Sequence, residues 1–319
     1  MKFYSMIMAL ILSFGLLGCS DELGKDKGSD TELHTNALVP QFKVTTTGEA
    51  EPNRYSVLIE WPDASGTVRI SESSKILAVV PGVDQKYLHA KVPGGHNAAY
   101  LFEQLSADGR VLASIPLYVA VPSDVVISQD TTLKEATTIE AERVFLRSAI
   151  YTHDKSLYIT AKEVISDNAL IRNFPADSKA GREKTGRTGG SINIVAKRSR
   201  GNLRVYLNGE NGGDGKNGSI TVKGRHPGCP GSSGGQGGKA GNLNVDISED
   251  SEMSISYENV AAPGGLAGKK NSVPMATPAE DAIHPPCHKE AVNGVDGAAG
   301  VKGKVCLRLA PSPKFICSE

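Results

Sequence analysis

Four cysteines, Cys229, Cys287, Cys306 and Cys317, are the residues best equipped for covalent or metal chemistry. Two lie in His-x-x-Cys units, His226-Pro-Gly-Cys229 and His284-Pro-Pro-Cys287, and two imidazoles with two thiolates suit a tetrahedral zinc site. In an oxidising compartment, however, an even number of thiols pairs into disulfides before capturing a soft metal. Two disulfides are therefore expected, and no metal. Three pairings are open; Cys306 and Cys317 flank a segment with Pro311 and Pro313 that can fold back as a clasp, leaving Cys229 for Cys287. Asp154, Glu163 and Asp167 are the acidic cluster that could serve glycosidic chemistry on a solenoid face, but their spacing does not set the carboxyl separation. Charged residues normally stand at the surface, so a solvated face is the simpler reading. No nucleophile elbow, phosphate loop or His-Glu-x-x-His helix occurs, so no catalytic residue and no cofactor is expected. His34, His89, His96 and His153 are isolated and read as surface or packing residues.

A fifth cysteine has a different setting. Met1-Lys2 precedes an apolar stretch from Met6 to Leu17, then Leu16-Leu17-Gly18-Cys19, then a polar run to Asn36. This is a signal-peptide pattern whose apolar part is too short to span a bilayer. The tetrapeptide resembles the lipobox of bacterial lipoproteins, which implies removal of residues 1–18 and diacylglycerol on Cys19. Acyl chains contribute about 0.8 kcal/mol per buried CH₂, so two or three anchor a protein without a membrane helix. Ser20 follows the cysteine where the family uses Asp for inner-membrane retention, which implies the outer membrane, with the leaflet open. Residues 19–38 then form the lipidated cysteine and a polar tether. Gly212-Gly-Asp-Gly-Lys-Asn-Gly-Ser-Ile220 resembles the calcium nonapeptide of toxin-like β-rolls, but it occurs once and has Asn217 where Asp is needed.

The elements that must position these residues read as all-β. Residues 39–122 carry short alternating runs, at 55–61, 67–70, 76–80, 87–92, 98–105 and 111–121, separated by Pro-Asp, Pro-Gly and Asp-Gly turns. That spacing predicts an immunoglobulin-like β-sandwich. Trp61 at the end of an early strand and Tyr100 in Ala98-Ala-Tyr100-Leu-Phe102 give the stretch a resemblance to fibronectin type III domains. Both are expected in the core.

Residues 123–319 repeat. Ser156-Leu-Tyr-Ile-Thr-Ala-Lys162 lines up with Ser191-Ile-Asn-Ile-Val-Ala-Lys197, with Thr138-Ile-Glu-Ala-Glu-Arg-Val144 as a weaker relative, and Gly201-Asn-Leu-Arg-Val205 lines up with Gly241-Asn-Leu-Asn-Val245. From Ile139 to Leu157 the spacing is near one rung, so a glycine-rich β-solenoid with Ile, Leu and Val ladders is expected. Between its strands, glycine recurs at every third position: Gly209, Gly212, Gly215, Gly218; Gly228, Gly231, Gly234, Gly237; Gly294, Gly297, Gly300, Gly303. A three-residue period aligns the bare positions on one edge of a polyproline II helix. The runs resemble collagen but are too short and proline-poor for a triple helix, so loops of polyproline II packing within one chain are expected.

The 35 basic and 35 acidic residues balance, which excludes the overall positive charge typical of nucleic-acid partners. The expected protein is a surface-exposed, membrane-anchored, non-enzymatic adhesion or interaction module with a glycan or protein ligand. An envelope-structural protein and a β-helical polysaccharide-degrading enzyme are the alternatives.

Overall fold

A computed structural model describes residues 41–218, 230–270 and 292–318. Every regular element of any length in them is a β-strand. The first seven are β1 (Lys43–Gly48), β2 (Arg54–Glu60), β3 (Thr67–Glu72), β4 (Lys75–Pro81), β5 (Lys86–Pro93), β6 (Asn97–Leu105) and β7 (Val111–Ala120). In β2 and β6 buried residues alternate with more exposed ones, as in a half-buried strand, whereas β4, β5 and β7 leave Ile76, Val79, Leu88, Leu112 and Tyr118 exposed. All their pairings are antiparallel, in one sheet ordered β1-β2-β5 and another ordered β4-β3-β6-β7. The two sheets share a core built around Tyr55, Ile59, Trp61, Ile70, Tyr100 and Phe102, so Trp61 and Tyr100 are packing residues.

The chain then becomes a parallel stack. It contains β8 (Asp124–Ile127), β9 (Thr131–Thr132), β10 (Thr137–Leu146), β11 (Ala149–Tyr151), β12 (Leu157–Arg172), β13 (Ile192–Tyr206), β14 (Leu243–Glu258) and β15 (Val305–Leu309), with β16 (Ile316–Ser318) folding back antiparallel on β15. Leu157, Ile192, Leu243 and Val305 stand side by side, as do Ile159, Ile194, Val245 and Leu307. These ladders make one continuous apolar core.

Two alignments drawn from the sequence fall in different places. Thr137, not Ile139, lies beside Leu157, and Ile139 lies beside Ile159. A slip of two residues leaves every apolar side chain on the same face, so alternation alone cannot separate the two registers. Gly201 lies beside Met253, while Leu243 and Val245 pair with Ile192 and Ile194. The two legs of a bent strand carry the same alternation, and the sequence match joined the second leg of β13 to the first leg of β14.

Between β12, β13, β14 and β15 the chain leaves the stack three times and returns. Residues 175–183, 207–218 and 259–270 run outward; 184–190, 230–242 and 292–304 run back. Backbone N–H groups at every third residue bridge them. Gly231, Gly234 and Gly237 donate to the carbonyls of Val292, Val295 and Ala298, while Gly235, Gly238 and Gly241 donate to those of Gly213, Glu210 and Leu207. Gly212, Gly215 and Gly218 donate to Pro263, Leu266 and Lys269, and Gly294, Gly297 and Gly300 to Gly268, Gly265 and Ala262. The neighbouring backbones are so close that a Cβ on Gly235 would meet the Lys184 carbonyl oxygen at 1.9 Å.

The described residues belong to one compact unit. The antiparallel sheets meet the stack through a buried ion pair. Arg143 Nη2 is 2.7 Å from Asp124 Oδ2, and both side chains are almost wholly buried. The same guanidinium donates to the carbonyls of Glu49, Glu51 and Arg54 in the β1–β2 hairpin. It fits because Gly48 has no side chain; a Cβ there would lie 2.4 Å from Arg143 Cζ. Asp124 also accepts from the Tyr55 hydroxyl and the Asn53 N–H. Burial pushes the Tyr55 phenol well above its ordinary range, reinforced by the hydrogen bond and charge of Asp124. For Arg143 burial works against the charge most strongly, but the hydrogen bond and charge of Asp124 outweigh it and the guanidinium pKa is raised.

Two predictions follow from these contacts. Gly235→Ala must displace a backbone carbonyl and costs about 1–3 kcal/mol or more, whereas Gly181→Ala, whose Cβ would meet only Lys184 Cδ at 3.6 Å, leaves the thermal midpoint nearly unchanged; equal midpoints for the two variants would contradict the tight packing. Arg143→Met leaves Asp124 buried and unpaired, and chemical denaturation is expected to show a loss of about 3–5 kcal/mol.

Candidate functional site

The corner of β12 is where a side chain is turned out toward a concave surface. Register slips between Ser166 and Ala169, and Asn168 takes a positive φ of 54°. Ser166 Oγ caps the break by donating to the Asn202 carbonyl at 2.5 Å. Bulges of this kind re-aim the residues beside them, and Asp167 is exposed as a result. On the neighbouring strands Phe145, Ile165 and Arg200 lie side by side, as do Leu146, Ser166 and Gly201.

The outcome is a cleft of about 300 Å³ between the β1–β2 hairpin and the stack, lined among others by Ala50, Phe145, Arg147, Asp167 and Arg200. Arg147 lies over the Phe145 ring at 5.5 Å. Arg200 Nε is 3.4 Å from Glu163 Oε1, which orients that guanidinium. Arg147 and Asp167 have no ion-pair partner within 4.0 Å among the described residues. Two guanidiniums and one carboxylate in a shared hollow can hold a carboxylate or phosphate and exchange a proton with a bound group.

Of the acidic cluster nominated from the sequence, Asp167 lines this cleft, Glu163 reaches it only through its ion pair with Arg200, and Asp154 does not line it. Asp154 lies in the turn before β12, with Lys155 Nζ at 3.1 Å and Arg187 Nη1 at 3.9 Å. Burial works against its charge most strongly, but the hydrogen bonds from Lys155 and the backbone, with the charges of Lys155 and Arg187, hold its pKa below the ordinary carboxylate value. Arg187 also grips Glu210, with Nε and Nη2 at 2.8 and 2.9 Å and its own N–H at 3.2 Å. Glu210 is buried, and these bonds, Arg187 first, hold its carboxyl below the usual range against the opposing effect of burial. These contacts anchor the foot of the glycine segments.

Cys306 and Cys317 are disulfide-bonded, with Cα atoms 4.1 Å apart, and the bond clips β16 to β15. Cys19, Cys229, Cys287, His226 and His284 lie outside the described residues, and with them the lipidation, the second disulfide and the zinc alternative. Among the described residues no three His, Cys, Asp or Glu side chains converge as a metal site. Sequence reading missed Arg147 and Arg200. Their signal was present in the register of Phe145, Ile165 and Arg200, but it could be read only with the rung offset known.

No family model matches the chain, and no curated protein does. Solved structures that are similar include pectate lyase PelI from Erwinia chrysanthemi in complex with tetragalacturonic acid, at 11% identity, covering 82% of this chain and 99% of that one with a TM-score of 0.19. Pectate lyase Pel3 from Pectobacterium carotovorum is similar at 11% identity, over 75% of this chain and 96% of that one, again with a TM-score of 0.19. The matched chains are enzymes, and against them the expectation of a non-enzymatic module is withdrawn. A TM-score of 0.19 assigns no activity in its place.

The Glu210 anchor sets a pH dependence. Its folded pKa is depressed below the unfolded value of about 4.3, so its contribution is present above that value and lost as pH falls through the folded one. Thermal midpoints measured from pH 6 down to 2.5 should fall less steeply in Glu210→Gln than in the unsubstituted chain; parallel curves would exclude this role.

Proposed function

We propose that the chain is a lipoprotein held by acyl chains on Cys19, displayed from the outer membrane on the 19–38 tether, and that it binds an anionic ligand, glycan or protein, in the Arg147–Asp167–Arg200 cleft. Supporting the anchor are the signal pattern and the lipobox-like Leu16-Leu17-Gly18-Cys19. Supporting the architecture are the two antiparallel sheets over one core, in keeping with a fibronectin type III-like sandwich, and the parallel strands stacked in chain order, in keeping with a β-solenoid.

The observation that carries the binding reading is the pair of exposed guanidiniums in one hollow, close to the buried Arg143–Asp124 junction. The Glu163 contact orients the Arg200 guanidinium beforehand, so a ligand carboxylate need not order that side chain itself. A second reading, cleavage of an acidic polysaccharide at the same place, draws on the unpaired Asp167. Asp167 is exposed and has no ion-pair partner among the described residues, which leaves it open to act as a base, whereas Glu163 is held against Arg200.

An array of anionic and neutral glycans, followed by a screen for cleavage of every glycan bound, tests both. Arg147→Ser with Arg200→Ser should weaken anionic-glycan or acidic-peptide binding at least tenfold, each charge-assisted hydrogen bond contributing about 1.5–3 kcal/mol. If cleavage is seen, Asp167→Ala should abolish it while binding persists. Unchanged binding in the double arginine variant would remove the cleft from consideration. For the anchor, Cys19→Ser should move the protein from the membrane fraction to the soluble one.

A further inference from the structure

The three glycine excursions differ in length, and the difference leaves a step. The first turns back at Arg182 and Glu183, where the Glu183 N–H donates to the Asp214 carbonyl and the Gly213 N–H to that of Lys184. The second and third continue. One triplet further out Ser232 N–H donates to the Lys216 carbonyl, Gly268 N–H to that of Ser232 and Gly218 N–H to that of Lys269, and among the described residues only the Glu183 side chain of the first excursion pairs at this level. On that step lies a concave space of about 550 Å³, lined by Arg182, Asp214, Lys216, Asn217, Leu266 and Lys269 among others.

Its floor is rigid. Leu266 N–H donates to Asp214 Oδ1 and Lys269 N–H to Asn217 Oδ1, each at 2.8 Å, while Gly215 N–H donates to the Leu266 carbonyl at 2.8 Å. Lys216 is paired with Glu183 at 2.6 Å and Lys179 with Asp214 at 2.7 Å. Arg182 and Lys269 have no ion-pair partner among the described residues, and Leu266 is 65% exposed.

We propose that this step is a docking site for an acidic polysaccharide. Cations interspersed with carboxylates, with Arg182 close enough to act on Glu183 and Asp214 without an ion pair to either, suit a polymer whose charges are spaced by sugar rings. Glu183 and Asp214 would repel the continuous charge of an anionic bilayer, or of a nucleic acid with a phosphate at every residue, and none of the named lining residues is an aromatic side chain that could stack a base. Leu266 presents an apolar surface for a ring face, and Asn217 and Asp214 give the floor polar atoms near the ring hydroxyls. The volume falls in the roughly 300–1,000 Å³ range of sites that enclose small ligands. This site is separate from the cleft at the β12 corner and does not depend on the reading given to it.

The test is titration of the full-length chain in nonionic detergent with dextran sulfate, hyaluronate, neutral dextran and phosphatidylcholine vesicles containing phosphatidylglycerol. Arg182→Ser with Lys269→Ser should weaken binding to the acidic polymers about tenfold or more and flatten its salt dependence, with an unchanged thermal midpoint because both side chains are exposed and unpaired. In the Arg147→Ser with Arg200→Ser background, where the β12 cleft no longer contributes, Arg182→Ser with Lys269→Ser should weaken polymer binding by the same factor, which separates the step from the cleft. The proposal is overturned if the Arg182/Lys269 variant binds the polymers as the unsubstituted chain does. It is equally overturned if neutral dextran binds as tightly, or if the vesicles are the preferred ligand.

Discussion

A backbone N–H buried among other backbones must find a carbonyl, and in the glycine excursions only neighbouring chains can supply one. Outward and returning segments therefore lie closer together than any side chain permits. Where two backbones touch at every third residue, that residue is nearly always glycine, with Ser232 and Ala240 the small residues at the ends of their series. The Gly-x-x period is thus a packing requirement; in residues 231–241, which have neighbours on two sides, two of every three positions are small and only Ser233, Gln236 and Lys239 carry exposed side chains. Collagen meets a related demand with three chains, whereas here one chain supplies all the segments by running out and back.

The excursions depend in turn on the stack beneath them. Each begins where one long parallel strand ends and closes where the next begins, so the ladders from Leu157 to Val305 align the glycine segments against one another. Arg143 performs the corresponding task on the other side. It stands in β10 yet faces away from the apolar core, and its guanidinium satisfies three carbonyls of the β1–β2 hairpin while Asp124 neutralises it. Replacing such a pair by apolar residues is often tolerated in other proteins, so its merit here is geometric specificity. It brings Ala50 to the edge of the cleft that Arg147, Asp167 and Arg200 complete.

The strands of the first part were legible because alternation and turn residues coincide: the runs at 55–61, 87–92 and 98–105 became β2, β5 and β6 almost residue for residue. The match of Leu157–Ala161 with Ile192–Ala196 was legible too, and it is the true register of β12 on β13. The offset of β10 was not, because a two-residue slip preserves every inward side chain. Arg200 was hidden for the same reason: its position beside Ile165 depends on register, and a lone arginine among many has no local signature. Overall neutrality concealed the free cations of the step, since charge balance over the whole chain says nothing about where Arg182 and Lys269 come to lie.

By itself, then, the sequence determined the all-β character, the apolar ladders and the need for close backbone contact at each third residue, since these follow from side-chain alternation and from the absence of a Cβ, which are local properties. Tertiary structure alone decided which glycine segment faces which, how far each excursion projects, and which arginines share a hollow with Asp167. Those outcomes depend on loop lengths and strand register acting across tens of residues, where the free-energy difference between neighbouring registers is set by the whole stack and not by any residue within it.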